Sequence, residues 1–329
     1  MRTGAPAGHR GHFHEAAFYD TDDGLLTVAV PFLEQGVKAG EPTLVALGEA
    51  TRKLVRMAIE DSTGIQFLDD RDRHARPASL IHSSREILAG HAARGAQQIR
   101  FLGETPHTGH GARWGWWARY EATINHAFTD FPLWKLCPYD VRIAPADVLD
   151  DVAKTHTHIA TIDGAHRVNP RYQDPTQFIA HRRPGAADPL ETTPPVVELI
   201  DPTPNAARRA AHKAGDRVLS GTVEIDDLVM AISEVVTNAV MHGRPPVVLR
   251  VWTAPDRVVA TVNDRGSGPT DPFAGLLPTT NTRSGGMGLW LAHQLCSHVE
   301  LDTSAGGFTI RLVSERSSTG RTGHARDES

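Results

Sequence analysis

The sequence predicts an α/β chain of two domains, a doubly wound, mainly parallel sheet followed by a sandwich of helices on a sheet of turn-linked strands. Three observations carry that expectation. Short apolar runs alternate with helical segments through the first half, as in βαβ units. A stretch rich in Pro, Asp and Thr then interrupts the pattern. Beyond it, strands are paired by short turns with helices to one side, the grammar of an α+β sandwich.

In the first half, His14–Tyr19 reads as a strand, and Asp22 or Asp23 caps a helix to about Ala39. Thr43–Leu47 is a buried strand and Glu49–Glu60 a helix; Ile65–Leu68 and Ala78–Arg94 repeat the pair. Strand Gln98–Leu102 precedes helix Arg113–Phe128, and strand Leu133–Cys137 precedes a helix from Pro145 to Thr155, with Pro in its first turn. In the second half, Val196–Ile200 is a strand, and Asn205–Leu219 and Asp226–Met241 are helices, the latter strongly amphipathic. Strands Val247–Trp252 and Val258–Asn263 flank the turn APDR; a helix at Leu289–Cys296 and strands near Val299–Thr303 and Phe308–Val313 complete it. The expected layout is a domain at 11–166, a linker at 167–195, a domain at 196–315 and a disordered tail at 316–329.

With 329 residues, 40% of them hydrophobic and 22% charged, the chain has room for two cores. Its net charge of -5 and dispersed basic residues argue against a broad nucleic-acid face, so no direct nucleic-acid partner is expected. No apolar run is long enough for a bilayer, and MRTGAPAGHRGHFHEAAF has no signal-peptide core, so no membrane partner is expected. Cys137 and Cys296 fall in different expected domains, which points to a reducing cytoplasm rather than a disulfide framework. Histidine is unusually frequent, at 18, with close pairs His12/His14, His107/His110 and His156/His158. His-x-His on a strand puts both rings on one face, where a metal could bind. None of these pairs lies in a Cys/His array or an HExxH helix, so they are read as surface or structural histidines.

Three segments of the second half carry chemistry. In Glu234-Val-Val-Thr-Asn238-Ala-Val-Met-His242 the three polar residues recur every four positions and line one helix face. Glu234 suits polarising a hydroxyl, and the Asn238 oxygen suits Mg²⁺, a hard cation. A solvated polar stripe is the plain alternative. Asn263-Asp264-Arg265-Gly266-Ser267-Gly268 follows a strand and offers a carboxylate acceptor, suited to an adenine amine, beside backbone that can approach a flat ligand; an ordinary turn is the alternative. Ser284-Gly285-Gly286-Met287-Gly288-Leu289-Trp290-Leu291 opens a helix whose N-terminal amides can meet phosphates, although no Lys-Ser/Thr follows as in a Walker A loop.

Together and in this order, the segments resemble the N, G1 and G2 boxes of the GHKL ATPases, the superfamily of gyrase, histidine kinases and MutL. EVVTNAVMHG, the brief connection to GGMGLWL and the preceding AARRAAHKAGDRVL are most similar to bacterial anti-sigma-factor serine kinases. The resemblance implies a GHKL sandwich that binds ATP and Mg²⁺. Glu234 would be the catalytic base and Asn238 the Mg²⁺ ligand. Asp264 would accept from adenine, with Gly266 and Gly268 shaping its pocket. Gly286, Met287, Gly288 and Leu289 would lie on the phosphate side, and His242 would complete the N box. Arg265 meets either phosphate or solvent. The resemblance further implies a sigma factor and a STAS-domain antagonist as partners, Ser/Thr phosphorylation of that antagonist, and room for a homodimer. No paired-helix phosphoacceptor region directly precedes Val196, which disfavours an orphan sensor histidine kinase. A non-catalytic ATP-dependent sigma-binding switch is the other alternative.

In the first half, EQGVKAGEPT sits where a RecA-like phosphate loop would lie but lacks GxxxxGK[ST], so hydrolysis is not expected there. HFHEAAFYDTDDGLL, FLGETP, LCPYD and KTHTH resemble the MEDS domain, a RecA-like sensory domain of methanogen and methylotroph regulators, over residues 11–165. Thr157-His158 stands where that family often has His-Pro. The resemblance implies a small-molecule ligand. The post-strand segments Gly103–His107 and Cys137–Asp140 are where a doubly wound sheet binds ligands. Trp114, Trp116, Trp117 and Tyr120 read as packing against the sheet, with a pocket wall as the alternative. Cys137 reads as a buried structural thiol, with a redox or ligand contact as the alternative.

Overall fold

The computed structural model describes residues 2–68, 76–106, 114–182, 187–219, 223–278, 287–304 and 306–316. Two units separate by contacts, Met1–Gly185 with Asp271–Leu277, and Ala186–Thr270 with Pro278–Ser329.

In the first unit, strands and helices alternate: β1 (Phe13–Tyr19), α1 (Asp22–Lys38), β2 (Thr43–Ala46), α2 (Glu49–Ala58), β3 (Ile65–Phe67), α3 (Pro77–Ala93), β4 (Ile99–Gly103), α4 (Trp114–Ala127), β5 (Leu133–Asp140) and α5 (Ala146–Thr155). A short hairpin, β6 (His158–Ala160) and β7 (His166–Val168), and helix α6 (Pro175–His181) follow. The sheet runs β3-β2-β4-β5-β1-β6-β7. Only the β6–β7 pair is antiparallel; the others are parallel, as the alternation predicts. Such a sheet is covered on both faces, and β5 accordingly buries all its residues, Lys135 and Asp140 included. Helix α1 starts one or two residues earlier than expected, because Thr21 and not Asp22 or Asp23 is its cap and accepts from the Gly24 amide at 3.0 Å, leaving both aspartates in the first turn. Its buried residues Leu25, Ala29, Phe32, Leu33 and Gly36 recur at helical spacing and form the stripe it lays on the sheet.

The second unit contains β8 (Val197–Ile200), α7 (Pro204–Leu219), α8 (Val223–His242), β9 (Val248–Ala254), β10 (Arg257–Asp264), α9 (Met287–Leu295), β11 (His298–Ser304) and β12 (Gly307–Glu315). Its sheet, β11-β12-β10-β9-β8, is antiparallel throughout. Helices α7 and α8 pack on each other and on this sheet.

Residues 167–195, expected to be a linker, hold structure. Asp174 caps α6 with Pro175 at its first position, and Phe178 is buried in the first unit's core. Further on, Asp188 and Glu191 form a reciprocal capping box around a 3-10 turn, Pro189–Thr192. Leu190 in that turn packs on Trp252, Val259 and Val313, covering the sheet face opposite α7 and α8. Arg257 and Arg311 pair with Asp188 and Glu191 and fix the turn there. The expected tail lies, beyond Arg316, outside the described residues. Among the described residues no helix is long and apolar enough to cross a membrane.

Candidate functional site

Helix α8 buries Leu228, Ile232, Val235 and Ala239 against the sheet, which turns Glu234 and Asn238 to a half-buried face. That face meets the start of α9. A Cβ placed on Gly288 would stand 2.8 Å from Glu234 Oε2 and 3.1 Å from Asn238 Nδ2, so the glycine leaves room for both side chains. Neither side chain has a hydrogen-bond partner among the described residues.

Asp264 ends β10 and is 4% exposed. Its Oδ1 accepts from the Gly266 amide at 2.6 Å and the Arg244 amide at 3.1 Å. A Cβ on Gly243 would lie 2.5 Å from the Asp264 carboxyl carbon, so only glycine lets the end of α8 close on this carboxylate. Among the described residues Oδ2 accepts no hydrogen bond. Gly268 lies further along the turn, against the Phe308 ring. The first segment and the two residues after it therefore reach both of the others: Gly288 through Glu234 and Asn238, Asp264 through Gly243 and Arg244.

The remaining expected residues are placed as follows. His242 is the exposed last residue of α8, and Arg265 is exposed, its amide donating to Arg244 O at 2.8 Å. Met287 is exposed at the start of α9, Leu289 is buried, and Gly286 lies outside the described residues. The donor set fits a magnesium nucleotide: a fixed carboxylate and, beside a helix start, a carboxylate and a carboxamide, with one oxygen of the first and both of the latter groups unpaired among the described residues.

The first unit has a cavity of about 200 Å³ where β2 and β4 end, lined in part by Phe101, Glu104, Thr105, Trp117, Tyr120 and Lys135. This is the carboxyl end of the strands, where a doubly wound sheet binds ligands. Trp117 and Tyr120 thus both pack and wall a pocket. Trp116 is buried, and Trp114 donates its Nε1 hydrogen to Asp151 Oδ2 at 2.9 Å.

Behind the cavity lies a fully buried polar cluster that the sequence reading did not single out as a whole. Glu121 Oε1 accepts from Thr105 and from the Tyr139 hydroxyl at 3.1 Å, while Oε2 faces Lys135 Nζ at 3.5 Å. Burial raises the Glu121 carboxyl, but Lys135 above all, then His156 and the hydroxyl donors, bring it below its ordinary value. Burial also pushes the Cys137 thiol up to about 12 and His156 down to about 4. With Cys137 a thiol and His156 neutral, the carboxylate of Glu121 is what keeps Lys135 protonated. The signal was present in the sequence: Glu121 and Lys135 are charged residues inside an aromatic-rich helix and an apolar strand. His14 and His156, in pairs read as surface or structural, are fully buried, and the Cys137 reading as a buried thiol holds.

The family model of the MEDS domain (methanogen/methylotroph, DcmR sensory domain) matches residues 13–157, and that of the histidine kinase-like ATPase domain matches residues 202–314. The transcriptional repressor DcmR of Methylorubrum extorquens is 26% identical over 159 residues, covering 44% of this chain and 58% of that protein. The chain therefore joins a MEDS sensory domain to a histidine kinase-like ATPase domain of the GHKL kind.

Proposed function

We propose that this protein is an anti-sigma regulator whose ATPase domain binds MgATP and a sigma factor and phosphorylates a STAS-domain antagonist on Ser or Thr, under the control of a small molecule sensed by the MEDS domain. The observation that carries the reading is the convergence of Glu234 and Asn238 on Gly288, with Asp264 held beside the end of the same helix. MgATP supplies the transferable phosphoryl group. Glu234 is free to take the proton of an incoming hydroxyl, Asn238 to offer its oxygen to the metal, and Asp264 Oδ2 to accept from the adenine amine. The cavity beside Trp117, Tyr120 and Lys135 suits a small, largely apolar ligand with one polar end. The repressor role in the name of the DcmR relative supports a regulatory reading of the first unit.

The test incubates the protein with labelled ATP and a STAS-domain antagonist from the same genome. Label on antagonist Ser or Thr, lost in Glu234→Ala while ATP still binds, is expected. Tight ATP binding and sigma capture without transfer would select a non-catalytic switch, and acid-labile phosphate on the protein itself an orphan histidine kinase.

A further inference from the structure

We infer that the first unit contains a buried site for a zinc-class divalent metal, made by His14, Glu121, Cys137 and His156. One ligand atom from each lies within 4.8 Å of every other, and all four residues are buried. They come from β1, α4, β5 and the residue after α5, brought together only by the fold.

Three of the six ligand separations come close to those of a tetrahedral centre. Ligands bound at zinc's usual nitrogen, oxygen and sulfur distances stand roughly 3.3–3.7 Å from one another. Here His14 Nε2 is 3.5 Å from Cys137 Sγ and 3.5 Å from Glu121 Oε2, and His156 Nε2 is 3.8 Å from Glu121 Oε2. Two imidazoles, a thiol and a carboxylate form a donor set that selects zinc over hard cations.

The histidines are already set up to bind. Asn125 donates through Nδ2 to Glu121 O and Thr155 O, which turns its Oδ1 toward His14 Nδ1 at 3.0 Å. His14 therefore carries its proton on Nδ1 and presents an Nε2 lone pair to the cluster. His156 donates its Nδ1 hydrogen to Val152 O at 2.9 Å, so its Nε2 is likewise a lone pair. That atom is buried and has no hydrogen-bond partner among the described residues. A buried acceptor without a donor is unusual in a purely structural network, and a backbone or amide contact that fixes the distal nitrogen is what metal-binding histidines show. Lys135 is the counter-ion of Glu121 without metal; a bound dication takes over that role, and the ammonium turns to the cavity it already lines. On binding, a sulfur–metal bond replaces the Cys137 S–H bond and its proton passes to solvent, while the neutral imidazoles lose nothing.

The full-length protein, stripped with a chelator, is titrated with Co²⁺ and then Zn²⁺. One Co²⁺ per chain is expected, with tetrahedral visible bands and a thiolate-to-cobalt charge-transfer band, all displaced by one equivalent of Zn²⁺. The chain has only two thiols, so Cys137→Ser should abolish the charge-transfer band and Cys296→Ser should leave it. His156→Gln should weaken binding at least about tenfold. Absence of stoichiometric uptake by the wild type, a charge-transfer band that survives Cys137→Ser, or one lost in Cys296→Ser overturns the site. If Cys137→Ser does not fold, the wild-type spectrum and His156→Gln decide.

Discussion

Where β4 of the parallel sheet carries Arg100 the protein encloses it; where β10, the central strand of the antiparallel sheet, ends at Asp264, a side is left open. Arg100, 1% exposed on β4, donates to Glu41 Oε2 at 2.6 Å and Phe32 O at 2.7 Å and lies 4.5 Å over the Trp134 ring. Every face of that cation is answered from within. Asp264 is almost as deeply buried, yet only one of its oxygens is used among the described residues, and Glu234 and Asn238 are half-buried with none used. Burial of charge therefore does not separate structural from ligand-facing groups in this molecule. What separates them is whether the protein completes their hydrogen bonding.

The sharpest way to break that contrast is Arg100→Ala, which removes the ionic partner of Glu41, leaving it the neutral donors Thr3 and Gln98, and removes the guanidinium donor of the Phe32 carbonyl. Loss of one partner of a buried pair should cost about 3–5 kcal/mol of the first unit's stability. Urea unfolding followed by tryptophan fluorescence would report it, Trp134 being stacked on the guanidinium; a loss under about 1 kcal/mol would mean the enclosure contributes little. Asp264→Ala should act mainly on the ligand. Loss of a buried acceptor is worth about 1–3 kcal/mol, so ATP affinity by calorimetry should fall about 5- to 150-fold. An unchanged affinity would remove the unpaired oxygen from the adenine contact. Gly288→Ala should act most gently on the fold. Its Cβ meets the side chains of Glu234 and Asn238 rather than backbone, so stability should drop by about 1 kcal/mol, the low end for an added methyl. Phosphoryl transfer should fall further than ATP binding, because the base and not the adenine contact is displaced.

Much of this was readable from the chain, for physical reasons that also mark the limit. The i, i+4 spacing of Glu234 and Asn238 and the glycine at 288 are local signals, legible without knowing what packs against them. The β6–β7 hairpin was not anticipated: β7 is three exposed residues, His-Arg-Val, without apolar alternation. Helix α6 could have been seen, since Asp174-Pro175 is a cap followed by proline at the first turn. The 3-10 turn at Pro189 looked like linker because its purpose, placing Leu190 over Trp252, is tertiary. The cluster of His14, Glu121, Cys137 and His156 was hidden for the same reason; no local pattern brings residues so far apart in the chain together.

The position of β1 has a further consequence, for the order of assembly. The first strand made lies inside its sheet, with Tyr19 beside Asp140 on β5 and Ala17 beside Ala160 on β6. Neither neighbour exists until most of the unit has been translated. At roughly 5–20 residues per second, a growing chain carries β1 unpaired on both edges for on the order of ten seconds. The antiparallel sheet faces no such delay for its β9–β10 hairpin, whose strands are separated only by Pro255 and Asp256. Of the two sheets, the parallel one is thus where a ribosome-bound chaperone has most to protect.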